Sequence, residues 1–174
     1  MNKLLARLKE EKMLCSFYFN EKFESFSVGV VASFDDEWCM ISRVSPNGYF
    51  DGFCCRKIDT IIRISIEDNY IRNMDKLIKA NGTQLLSLHV DIETDFLRTV
   101  LAWLKGKSEL CCIELHNFDD LAFYGYISQM EDNLLIVDCI DNDAQHNGKS
   151  IIKIDDISAV AFMSEDEEKF KKLV

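Results

Sequence analysis

Apolar residues recur along this chain with two periods in turn, helical and then alternating. Leu4, Leu5 and Leu8 form one stripe, with Arg7, Lys9 and Glu11 elsewhere, which predicts a short helix over 2–12. Cys15, Phe17 and Phe19 then alternate with Ser16 and Tyr18, the pattern of a strand with one buried face. Further strands are expected at about 26–34, 38–45, 53–58 and 60–66, punctuated by Asn20-Glu21-Lys22, Asp35-Asp36-Glu37, Pro46-Asn47-Gly48 and Asp59-Thr60. Gly29 falls inside the second of these, where glycine marks a bend, a bulge or a close backbone approach. Ile71, Met74, Leu77 and Ile78 then return to helical spacing, and Asn81-Gly82 ends that helix.

The same succession occurs a second time. Lys57-Ile58-Asp59-Thr60-Ile61 reappears 96 positions later as Lys153-Ile154-Asp155-Asp156-Ile157. At that offset residues 4–78 lie over 100–174 without a gap, and 15 of the 75 pairs are identical, among them Cys15/Cys111, Gly29/Gly125, Asp36/Asp132 and Gly52/Gly148. A repeat fixes architecture before any other signal. It predicts strands at about 110–116, 122–130, 133–140, 149–154 and 157–163, the first with Cys111, Ile113 and Leu115 on its one buried face. A closing helix is signalled by the capping box Ser164-Glu165-Asp166-Glu167, with Phe170, Leu173 and Val174 on its apolar side. Leu86, Leu88 and Val90 suggest an extended connector, and a helix is expected from near Asp91 to Gly106. The domain reading is a first repeat over 1–80, a connector over 81–99 and a second repeat over 100–174.

Composition narrows the classes. The apolar fraction of 48% is that of a globular chain. No run reaches the roughly 20 apolar residues of a membrane span, and the charged N-terminus is unlike a signal peptide, so a cytoplasmic protein without membrane contact is expected. Seven cysteines lie in predicted strands without Cys-x-x-Cys spacing, and read as small buried hydrophobes in a reducing compartment. The net charge of −10 is uneven: 4–78 carries 10 basic and 12 acidic residues, 100–174 carries 7 and 15. Phosphate binding needs clustered Lys and Arg, so the second repeat makes a poor nucleic-acid surface.

A helix followed by five short antiparallel strands, with a tight turn between the fourth and fifth, resembles the Sm-like fold of Sm, LSm and Hfq proteins, a small SH3-like barrel. Gly29, Asp35 and Trp38, and Gly125, Glu131 and Leu134, match the glycine, acid and hydrophobic of the first Sm motif. Lys57 and Ile61, with Lys153 and Ile157, match the base and last apolar position of the second. The position of the base-binding Asn holds Cys39 and Leu135, and the motif glycine is replaced by Ile58 and Ile154. The resemblance implies a mainly β protein with flanking helices: two tandem five-stranded Sm-like barrels, each preceded and followed by a short helix. It also implies pairing of strand four of one barrel with strand five of the next. Two barrels in one chain leave an edge open at each end, so a homo-oligomer is expected, closing as three chains or by two-fold symmetry.

No reactive constellation is apparent. His89, His116 and His146 lack metal spacing, no glycine-rich phosphate loop exists, and Asp155-Asp156 reads as turn chemistry. No enzyme, metal or cofactor is expected. The best site candidate is the aromatic loop Tyr49-Phe50-Asp51-Gly52-Phe53 with Arg56, Lys57 and, upstream, Arg43, since aromatics beside cations stack bases and contact phosphates. Its counterpart, Gln145-His146-Asn147-Gly148-Lys149, lacks the rings. A module that binds a protein or itself is the function expected; single-stranded nucleic acid on the first repeat is the alternative.

Overall fold

The computed structural model describes residues 1–19, 26–88, 95–116 and 122–173. Among these residues it is mainly β, with ten antiparallel strands and four α-helices. The chain divides into two compact units, Met1–His89 and Val90–Val174.

The first unit runs α1 (Asn2–Glu10), β1 (Cys15–Phe19), β2 (Phe26–Phe34), β3 (Trp38–Val44), β4 (Phe50–Lys57), a 3-10 turn (Ile58–Thr60), β5 (Ile61–Ile66) and α2 (Asn69–Asn81). Its strands pair in the order β5–β1–β2–β3–β4. The second unit repeats this with α3 (Phe96–Lys107), β6 (Cys111–Leu115), β7 (Ala122–Glu131), β8 (Leu134–Ile140), β9 (His146–Lys153), a 3-10 turn (Ile154–Asp156), β10 (Ile157–Phe162) and α4 (Glu165–Lys171). Its order is β10–β6–β7–β8–β9.

The repeat extends to the irregularities. Cys15 faces Gly29 as Cys111 faces Gly125. The β2–β3 register slips between Val31 and Ser33, and β7–β8 slips between Ile127 and Gln129, so Ala32 and Ser128 are equivalent bulge residues. Gly52 and Gly148 sit at φ 71° and 76° inside matching bulges, a backbone that favours glycine. Gly29 has a different reason. A Cβ there would fall on the Ser42 carbonyl oxygen and 2.7 Å from Ile41 Cγ2, so the glycine permits close passage of β2 over β3.

One core in the first unit gathers Leu5 and Leu8 of α1 with Cys15, Phe17, Phe19, Val31, Cys39, Ile41, Ile58 and Ile61. A second places Val28 and Val44, on the other face of β2 and β3, under Ile71 and Met74 of α2, with Leu85 beside them. Asp68 caps α2 by accepting from Ile71 N, and Gly82 closes it at φ 64°. After α2, residues 83–88 form no strand; Ser42 Oγ instead donates to Leu86 O at 3.0 Å. Among the described residues no helix is long and apolar enough to cross a membrane.

Four details differ from the sequence reading. The stretch 50–53 is not loop but the start of β4, because Val44 pairs Phe50 across the Gly52 bulge. Ser16 and Cys112 are buried along with their apolar neighbours, so β1 and β6 are covered on both faces rather than one. Leu115 is only half-buried, at the last rung of β6. The helix expected from Asp91 is seen from Phe96, with Asp95 as its cap; residues 91–94, like His89 and Asn20-Glu21-Lys22, lie outside the described residues.

Candidate binding surfaces

The residues singled out on the first unit do not converge. Arg43 turns onto β4, where its Nε donates to Asp51 O at 3.1 Å and its guanidinium lies 3.8 Å from the Asp51 carboxylate. Tyr49 lies at the end of the 45–49 turn and is 57% exposed, with its backbone tied to Ser45. Phe50 meets Phe53 edge to face at 5.4 Å, and Phe53 is buried. Arg56 lies over the Phe19 ring at 4.7 Å and Lys57 over Trp38 at 5.7 Å. Successive strand residues point to opposite faces, so Arg56 and Lys57 diverge. Tyr49 is seven residues from Arg56, roughly 20 Å along a strand rising about 3.3 Å per residue. One base cannot stack on Tyr49 and reach both cations.

A different aromatic group does converge, at the opposite edge. Tyr18 stacks on Phe26 at 5.1 Å, Phe26 meets Tyr70 edge to face at 5.4 Å, and Arg63 lies 4.8 Å over Tyr18. Phe26 and Tyr70 are exposed. Tyr18 faces Phe26 on one side and Arg63 on the other in the strand register, so only strand pairing could have revealed this ladder.

On the second unit an open groove of about 590 Å³ is lined by Lys105, Tyr126, Ser128, Asp138, Ile140, Ala144 and His146. Asp138 Oδ1 accepts from Lys149 Nζ at 3.0 Å and Ser128 Oγ at 3.3 Å. The Lys149 hydrogen bond holds the Asp138 carboxyl below its ordinary range, outweighing the opposing effect of desolvation.

The seven cysteines are buried and unbridged. Burial pushes the Cys15 thiol up to about 11 and the Cys39 thiol to about 12, the latter with help from Cys54 and Cys15. A nucleophilic or metal-binding cysteine needs the opposite, an accessible and depressed thiol. Among the described residues no group of three or more His, Cys, Asp or Glu could hold a metal ion. Asp155 accepts from Asn133 Nδ2 at 2.7 Å beside the 3-10 turn, and His116 N donates to Asp156 O. These are contacts that fasten a turn. No known protein family, curated protein or solved structure matches this chain.

Proposed function

We propose that the protein is a non-catalytic interaction module of two Sm-like barrels that associates with itself and binds a protein partner. In each unit, the helix leading five antiparallel strands and the 3-10 turn before the fifth support the barrel reading. The observation that carries the self-association reading is the state of two strand edges. Among the described residues β5 pairs with β1 alone and β9 with β8 alone within their units. Ile62 on β5 is 51% exposed and Ile151 on β9 is 66% exposed. A strand bonded on one side presents bare N–H and C=O groups, and an exposed isoleucine adds apolar surface to whatever pairs there. The β9 edge of one copy and the β5 edge of the next would continue each other's ladders.

Light scattering over a range of protein concentrations tests this. The wild type is expected to exceed the 20.1 kDa of one chain, and Ile151→Lys to return it to that mass. A wild-type mass near 20 kDa at every concentration refutes self-association. Co-purification with and without nuclease then tests for a protein partner.

A second reading, single-stranded nucleic acid on the first unit, is favoured by the exposed Phe26–Tyr70 pair with Tyr18 and Arg63. Rings flanked by a guanidinium are a stacking platform. The spread of Arg43, Tyr49, Phe50, Phe53, Arg56 and Lys57 does not favour it.

A further inference from the structure

The repeat allows one unit to report on the other. On the first unit the outer face of β2 and β3 is covered by the chain itself. Asn81 Nδ2 donates to Asn47 O at 2.8 Å, Thr83 Oγ1 donates to Gly48 O at 2.7 Å, and Ser42 Oγ donates to Leu86 O. Leu85 packs beside Val28 and Val44. An irregular segment thus follows α2, crosses the 45–49 turn and ends on Ser42, which is fully buried. Shifted by 96, the residues it crosses are Asp143, Ala144, Asp138, Tyr124 and Ile140. Among these Asp138, Ile140 and Ala144 line the open groove, and the Asp138 side chain is 35% exposed. Of the strip covered in the first unit, Asp138 and Ile140 are part-exposed and Asp143 is exposed in the second, with Ala144 buried beneath.

We propose that this groove of the second unit receives an extended, basic segment of a partner protein, seated as residues 82–88 are seated on the first unit. The inference rests on the reading of the protein as a binding module and names where and what it binds. The exchange of Ser42 for Asp138 sets the chemistry. A serine hydroxyl donates to a backbone carbonyl; a carboxylate can only accept, and prefers a cation or an N–H. Lys149 already supplies one cation to Asp138 Oδ1 at 3.0 Å, but its side chain is 61% exposed, so an incoming cation competes with an exposed and weak ion pair. Tyr126, directly across from Asp138 on β7, lines the same groove and brings an aromatic ring near that cation. Asp141 and Asp143 follow on the turn beside the groove, and residues 100–174 carry 15 acidic against 7 basic groups, which draws basic segments toward this unit. Ile140 and Ala144 supply apolar floor beside the carboxylate, as Val44 does for Leu85.

The test uses fluorescence anisotropy on the full chain with two labelled, end-blocked peptides: the sequence of residues 82–88, and the same peptide with arginine in the place of Ser87. Hydrogen bonds to charged groups contribute roughly 1.5–3 kcal/mol, so the arginine peptide should bind at least about tenfold tighter. Asp138→Asn and Asp138→Ser should each abolish that preference. Equal binding of both peptides, or a preference that survives Asp138→Asn, overturns the proposal. So does a concentration-dependent dimer abolished by Asp138→Asn, which would seat a second copy in the groove. If neither peptide binds while a protein partner still co-purifies with Asp138→Asn, the groove assignment falls and the module reading stands.

Discussion

A methyl group added at Gly125 would lie 2.5 Å from Val137 Cγ1 and 2.6 Å from Asp138 O, with no open side to move toward. The equivalent Gly29 is equally confined, by Ser42 and Ile41. Overpacking of this kind costs about 1–3 kcal/mol, so Gly29→Ala and Gly125→Ala should each lower the urea midpoint by that stability. Gly106 in α3 has nothing near its missing Cβ. There the substitution should stabilise by about 0.5–1 kcal/mol, because alanine suits a helix better. The opposite signs separate a glycine required by contact from one that is not. The thiols make a second case. Cys15 and Cys39 titrate near 11 and 12 when folded, against an ordinary 9. A raised folded pKa means the stability of the neutral thiol is intact below pH 9 and is lost as pH climbs through the folded values. Urea midpoints should therefore fall from about pH 9 upward, and native protein at about pH 8 should leave its thiols unlabelled by a disulfide reagent until denatured.

At the scale of elements, the features legible in sequence were those whose determinants lie within a few residues of one another. Ser164 and Glu167 announce α4, and Ser164 N donates to the Glu167 carboxylate at 2.7 Å in the box they predict. Ser164→Ala should cost about 0.5–2 kcal/mol in a denaturation measurement. Lys171 then ties the end of α4 to Glu109 and Glu168; burial alone would lower its pKa, but these hydrogen bonds outweigh that and hold it above its ordinary value. The number and approximate bounds of the strands in each unit were legible because the repeat doubled a weak signal. What depends on partners far along the chain was not. Burial of Ser16 and Cys112 needs packing on both faces, and alternation cannot report it. Leu115 looked equivalent to Ile113, yet Ile113 is fully buried and Leu115 ends its strand. Ile113→Ala should thus cost about 2–5 kcal/mol and Leu115→Ala distinctly less, read from paired unfolding curves. The geometry of the candidate site depends on the same long-range determinants. Six residues close in sequence were drawn together by composition, whereas the pleat and the ring contacts of Arg56 and Lys57 separate them.

For the molecule as a whole, the distribution of charge decides between its two functional readings. Affinity for phosphate grows with the number of cations that can reach it and falls steeply with salt. The first repeat has 10 basic residues against 12 acidic, and of its basic groups Arg43 is on Asp51 while Arg56, Lys57 and Arg63 lie over rings. The second has 7 against 15. A single strand of RNA would meet net repulsion on the second unit; on the first, the ladder of Arg63, Tyr18, Phe26 and Tyr70 brings rings and a cation together among the described residues. The expected outcome is that wild-type protein gives no anisotropy change with labelled single-stranded RNA even at low salt, where electrostatic binding is strongest. Salt-sensitive binding would reverse the order of the two readings, and the variants would then locate it. Loss with Arg56→Ala and Lys57→Ala together would assign it to β4, despite the separation of those cations. Loss with Arg63→Ala or Tyr70→Ala, leaving the first pair without effect, would assign it to the ladder, because stacking there uses rings already aligned and exposed.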